Sequence, residues 1–219
     1  MTNTGSSSDS YSLLFPDDFS GIVMLLLYEA WQQLELPAVV TWETRITALF
    51  HKKMLQLYDR ELIYFIQPEG PITDPLYGTE LGRNDLLFYP IDNERQTKFF
   101  TVECKRLHTT HGTLITEYIK DGMMRFLING PNQYSQGVSS GAMVGYVLDG
   151  DMPAAFDALC KKIENQKIEL RLMEQNGLLH PSVLLPEYDH SADSRHLRDD
   201  KPFLLHHVLF PVNKNIKNQ

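Results

Sequence analysis

Asp85, Glu103 and Lys105 are the residues of this chain whose types and spacing suit chemistry. Glu103 and Lys105 stand two apart in the run 98–105, Lys-Phe-Phe-Thr-Val-Glu-Cys-Lys, which reads as a half-apolar strand. Strand side chains alternate between faces, so the carboxylate and the ammonium share one face with Phe99 and Thr101, while Phe100, Val102 and Cys104 form the other. The turn signal Asp92, Asn93, Glu94 separates this run from the strand-like run 86–91. An antiparallel hairpin is predicted, with Asp85 approaching Glu103 across it. Two carboxylates meeting at a strand end make a hard oxygen site suited to Mg²⁺ or Mn²⁺. A lysine beside them can polarise a water or steady a phosphate.

The elements that must position these residues follow from pattern. The run 19–36 is dense in Leu, Ile, Val and Ala, with Asp17 or Asp18 as N-cap and Pro37 as its stop, and predicts a largely buried helix. A second helix is predicted over 41–60, where Ile46, Leu49, Phe50, Met54 and Leu57 recur at helical spacing and Glu43 falls in register with them. A strand over 61–67 precedes a Pro/Gly loop over 68–82 and then the hairpin. Further on come a helix over 114–128, a nearly all-apolar strand over 142–148, an amphipathic helix over 152–173, a long excursion over 176–202 and a closing strand over 203–212. Residues 1–10 read as a disordered tail and 213–219 as a short C-terminal one, leaving 11–212 as a single domain. The fold class is α/β, a mixed sheet flanked by helices.

Composition limits the functional classes. At 219 residues, 42% hydrophobic and 22% charged, the chain fits one domain with one sizeable core. A net charge of −8 argues against a broad basic surface, so contact with a polyanion must be local. Two cysteines, Cys104 and Cys160, are too few for a disulfide framework and read as small buried apolar residues of a reducing compartment. The longest apolar stretch, 21–27, falls far short of the roughly 20 residues of a membrane span. A cytoplasmic protein without a membrane partner is expected.

The order of elements, with Glu43, Asp85 and Glu103-Cys104-Lys105, resembles the PD-(D/E)XK nuclease superfamily, whose restriction-endonuclease-like core is αβββαβ. The resemblance covers 41–149. It implies that Asp85, Glu103 and the Cys104 backbone carbonyl bind one or two Mg²⁺ (or Mn²⁺), that Lys105 orients the attacking water, and that Glu43 is the acid many members carry on the helix before the sheet. Asn84 stands where the name-giving motif has Pro, and the common Gln-x-x-x-Tyr helix is absent. Glu117, Tyr118, Lys120 and Arg125 occupy the corresponding helix, so Arg125 is a candidate phosphate contact. The stretches 118–126 and 141–150 also resemble small bacterial defence-associated proteins.

Phosphodiester hydrolysis needs an activated water, stabilised equatorial charge and help for the leaving oxygen, all of which a bound divalent metal supplies. The expectation is therefore a Mg²⁺-dependent phosphodiesterase, an endonuclease acting on double-stranded DNA as a restriction or anti-phage effector, working as a homodimer or recruited by a partner protein. Ribonuclease activity, or an interaction subunit that keeps the fold without catalysis, are the other readings. Arg106, His108 and His111 follow the strand closely and are candidate substrate contacts. With Arg45, Lys52, Lys53, Lys98, Lys120 and Arg125 they form a basic rim, or else charges scattered over unrelated faces. Arg125 has an alternative use in a helical salt bridge to Asp121. Tyr118 reads as core. His180, His190, His196, His206 and His207 lack metal-ligand spacing and read as surface or packing residues, with only one of His206 and His207 facing the core.

Overall fold

A computed structural model of the chain describes residues 19–38, 40–60, 63–73, 80–90, 99–128, 133–135, 138–173 and 179–213. The expected tail over 1–10, all but Asn213 of the expected tail over 213–219, the turn residues Asp92, Asn93 and Glu94, and Lys98 lie outside them.

Helices α1 (Phe19–Gln32) and α2 (Glu43–Leu57) lead into strands β1 (Ile63–Thr73), β2 (Glu80–Pro90) and β3 (Phe100–Leu107). A composite helix follows, made of α3 (Gly112–Glu117), one π-helical turn (Tyr118–Met123) and α4 (Met124–Leu127). Strand β4 (Ser140–Val147), helix α5 (Met152–Asn165) and strands β5 (His180–Pro181), β6 (Ser191–Arg198) and β7 (Lys201–Pro211) complete the order. The seven strands form one mixed sheet in the order β1-β2-β3-β4-β7-β6-β5. β3, β4 and β7 run parallel at its centre, and the outer pairs are antiparallel.

Both faces of the sheet are covered. On one, α1 and α2 bury Phe19, Leu27, Trp31, Phe50 and Met54 against Phe100, Val102, Cys104, Val144 and Phe210. Trp31 stacks on Phe210 with ring centroids 4.8 Å apart and meets Phe50 edge-on at 5.4 Å. Such ring pairs add about 0.5–1.5 kcal/mol beyond area burial. On the other face, the composite helix and α5 pack Tyr118, Phe126, Leu159 and Ile163 against Leu107, Met143, Leu205 and Leu209. None of the described helices is long and apolar enough to cross a membrane.

Several expectations are corrected. The first helix ends at Gln32 rather than 36, and the second spans Glu43–Leu57 rather than 41–60. Much of the expected loop over 68–82 is strand: β1 continues to Thr73 and β2 begins at Glu80. Pro68 and Pro71 fall on β1, an edge strand, where proline is tolerated better than in a central strand. The helix predicted over 152–173 stops at Asn165. The chain then turns through Arg171 (φ 51°) to bring Leu172 beside His196, burying Leu170 fully. The excursion over 176–202 contains β5 and β6, which extend the sheet. Leu185 is buried and Leu179 and Leu184 pack on the two cores, so this stretch covers the fold. Leu178 lies outside the described residues.

His206 and His207 are both buried, since each face of β7 is covered. His206 Nδ1 is 2.7 Å from Asp193 Oδ1. His207 belongs to a buried chain whose direction is fixed at one end. The Leu170 carbonyl can only accept, so His196 donates from Nδ1 at 2.8 Å and, being neutral, accepts the Ser194 hydroxyl at Nε2, 2.7 Å away. Ser194 Oγ accepts from His207 Nε2 at 2.8 Å, and His207 Nδ1 accepts the Tyr118 hydroxyl at 2.9 Å.

Candidate active site

The register of β2 on β3 pairs Leu86 with Val102, Leu87 with Thr101 and Phe88 with Phe100, which carries Asp85 opposite Glu103 one step further along. Apolar neighbours on the alternate face, Leu86, Phe88, Phe100 and Val102, lock that register into the core under α1 and α2. The Cys104 backbone N–H donates to Asp85 Oδ2 at 2.7 Å. Lys105 Nζ donates to Glu103 Oε1 at 2.6 Å and to the Cys104 carbonyl oxygen at 3.1 Å, and lies 3.5 Å from Glu43 Oε1. Glu43 stands in the first turn of α2 and accepts the Arg106 backbone N–H at Oε2, 3.0 Å away. Three expected carboxylates, the expected lysine and the expected carbonyl therefore come together at one end of β3.

Most of this cluster is withdrawn from water. The Glu103 side chain is 3% exposed and that of Lys105 13%, whereas Glu43 is 27% exposed and forms the open side. Burial, with the Asp85 charge beside it, pushes the Glu103 carboxyl from 4.5 to about 8, against the attraction of Lys105 and Arg125. Burial raises Asp85 as well, opposed by Lys105 and the Cys104 N–H. For Lys105, burial alone would favour the neutral amine, but Glu103, Asp85 and Glu43 outweigh it and the ammonium is held. Glu103 Oε2 is buried and no N–H or hydroxyl donates to it, while the Glu103 and Asp85 carboxyls interact directly.

A second group of residues closes the other side. Arg125 Nη1 donates to the Tyr134 hydroxyl at 2.9 Å, and that hydroxyl donates to the Arg83 carbonyl at 2.7 Å, beside Asn84 and Asp85 on β2. The Arg125 charge acts on both Glu103 and Asp85, and Glu103 and Asp121 both favour its charged form. Arg125 stands two residues after the π-helical turn. Tyr134 is held from below by Arg198, only 8% exposed, whose guanidinium donates to the Phe126, Tyr134, Ser135 and Val138 carbonyls and lies 3.9 Å from the Phe203 ring centroid.

Tyr134 and Arg198 were not singled out by sequence. Tyr134 lies in a loop and Arg198 in the stretch read as an excursion, and no periodicity marks either one.

The histidines stand elsewhere. His108 Nδ1 lies 3.1 Å from Asp149 Oδ2, and the His108 and His111 rings meet edge-on at 4.4 Å, so their contacts are with Asp149, Thr110 and each other. Arg106 keeps a place at the site through its backbone and reaches the Thr41 carbonyl with Nη1 at 3.4 Å. In the basic rim, Arg45, Lys52 and Lys120 are exposed.

Among the described residues, no group of three or more His, Cys, Asp or Glu side chains is arranged to hold a metal ion. The Lys105 ammonium lies among the carboxylates, and Asp85 Oδ2 is engaged by the Cys104 N–H. The donor types nevertheless fit a hard divalent cation: the buried Glu103 carboxylate, the half-buried Asp85 carboxylate and a carbonyl, with no protein donor to Glu103 Oε2. No family model, curated protein or solved structure matches the chain.

Proposed function

We propose that the chain is a divalent-metal-dependent phosphodiesterase that cuts nucleic acid, with DNA as substrate, and that its core is of the restriction-endonuclease-like type. The observation that carries the reading is the buried Glu103 Oε2, without a protein donor, in a cluster of Asp85, Glu43 and Lys105. Such a cluster is costly without a cation and suited to one. The order α2, β1, β2, β3, composite helix, β4 supports the αβββαβ core.

Asp85, Glu103 and the Cys104 carbonyl would hold the metal, with Glu43 at the open edge. Bound there, the cation supplies a water of lowered pKa and charge stabilisation at the phosphate. Lys105 Nζ, fixed by Glu103 and the Cys104 carbonyl, orients a water or a non-bridging phosphate oxygen by donating a proton to it. Arg125, fixed by Tyr134, presents its remaining N–H groups to the phosphate from the opposite side. Assignment to anti-phage defence rests on the sequence resemblance alone.

The test is cleavage of plasmid, single-stranded DNA and RNA by the purified chain with Mg²⁺ or Mn²⁺ and with chelator, alongside Asp85→Ala and Lys105→Ala. Metal-dependent cutting lost in both variants supports the reading. No cutting, with no thermal shift on adding either metal, would move the assignment to a non-catalytic interaction subunit, and cutting of RNA alone to a ribonuclease.

A further inference from the structure

Trp42 is 73% exposed although tryptophan has the largest apolar surface to bury. Its backbone is nonetheless fixed. Its carbonyl accepts the Arg45 and Ile46 N–H groups, both at 3.1 Å, at the start of α2. The residues on either side are tied to Arg106: the Thr41 carbonyl by Nη1 at 3.4 Å, and Glu43 Oε2 by the backbone N–H at 3.0 Å. An exposed indole is thus carried on a fixed backbone, next in sequence to the site acid Glu43 and to the Thr41 carbonyl that Arg106 holds. The Arg106 guanidinium is part exposed and spends Nη1 on the Thr41 carbonyl, which leaves Nη2 as a donor at the same edge. Arg45 is exposed in the first turn of α2. An apolar ring with adjacent cationic donors is the pairing by which proteins hold an unpaired nucleotide, base stacked on the ring and phosphate on the cation.

We propose that Trp42 and Arg106 form a nucleotide-binding lip of the active site, stacking one unpaired base and gripping its phosphate, so that the preferred substrate is single-stranded or locally unpaired. This rests on the nucleic-acid reading of the site and specifies the form of its substrate. A paired base keeps its faces in the duplex stack and offers none to Trp42. The lip therefore discriminates by strandedness and is tolerant of sequence.

The chain's two tryptophans make the test clean, since Trp31 is buried between aromatic rings and Trp42 is open to solvent. Binding is measured in chelator, with no cleavage, by intrinsic fluorescence and by anisotropy of a short labelled oligonucleotide in single-stranded DNA, single-stranded RNA and duplex DNA forms. Quenching of the emission by single strands, absent in Trp42→Phe, is expected. Trp42→Ala should weaken single-strand binding about tenfold and duplex binding little. Arg106→Gln should weaken single-strand binding and reduce its salt dependence by about one counterion. Circular dichroism of each variant checks the fold. Equal affinity of wild type and Trp42→Ala, preference for duplex, absence of binding to any of the three probes, or self-association that depends on Trp42 would each overturn the proposal. Because metal is absent, the result is independent of whether the site cleaves: binding without cleavage keeps the lip and rejects the phosphodiesterase.

Discussion

Lys105 and Glu103, same-face neighbours on β3, form an ion pair of 2.6 Å with side chains only 13% and 3% exposed. Above about pH 8, where Glu103 is ionised, removing one member leaves the other charge uncompensated and typically costs ~3–5 kcal/mol, and below that pH the proton on Glu103 makes the loss smaller. Lys105→Met is expected to abolish cleavage and to lower the urea unfolding free energy, with part of the loss restored in Lys105→Met/Glu103→Gln. A double-mutant cycle measures the coupling, and additive effects would show that the pair contributes none.

The raised Glu103 carboxyl makes the metal-free fold sensitive to alkali. Between pH 4.5 and about 8 the folded chain keeps a proton on Glu103 that the unfolded chain releases, so folding stability falls as pH rises through that window. Urea unfolding in chelator should show the decline, and Glu103→Gln should flatten it. Mg²⁺ should protect most at the alkaline end, where the carboxylate it binds is otherwise least favourable. A metal-induced shift in Tm that does not grow with pH would count against this assignment.

The buried histidines act in the opposite direction. Burial lowers His196 to about 4 and His207 to about 3, while in the unfolded chain both take up protons near 6.5. Their contribution to stability is therefore lost as pH falls from about 6.5 toward 4 and 3. Ser194→Ala removes the hydroxyl joining the two rings and strands His207 Nε2–H and His196 Nε2. A loss of about 1–3 kcal/mol at pH 7 is expected from urea melts. An unchanged midpoint would rule out the chain as a stabilising element.

Tyr134→Phe separates positioning from folding. It removes the hydroxyl linking Arg125 to the Arg83 carbonyl, and kcat/KM should fall about tenfold, the effect of one lost hydrogen bond, with little change in Tm. Arg125→Met should cost more, ~10²-fold in kcat. Arg198→Met is the contrasting case, since it leaves the Phe126, Tyr134, Ser135 and Val138 carbonyls without their donor and should cost about 3 kcal/mol of stability as well as activity. Full activity in Tyr134→Phe would detach Arg125 from substrate positioning.

The acid pair was legible in the sequence because strand alternation and a hairpin turn place Asp85 against Glu103 with no knowledge of the rest. Helices α1, α2 and α5 and strands β4 and β7 were legible for a similar reason, since apolar residues recur with the period of the element. Strand β6 escaped because it is built from the wrong residue types: Ser191, Asp193, Ser194, His196 and Arg198 are all buried, and each is satisfied by a partner that only the folded chain provides. Buried polar strands give no hydrophobic signal. Arg125's tie to the Tyr134 hydroxyl, nine residues on in a loop, is likewise a contact that spacing does not announce.

The parallel centre of the sheet sets an order of assembly. Hairpin β2-β3, with Asp85 and Glu103, closes through local contacts, but β4 gains its second neighbour only when β7 arrives, with Ser140 meeting Leu204 after α5, β5 and β6 have intervened. Until then β4 presents an unpaired, almost entirely apolar edge of the kind that recruits other chains. The pairing of the acids is thus quick to form, while the surface on which they rest is slow to seal, and aggregation during refolding should respond to substitutions in β7 more than to any in the site.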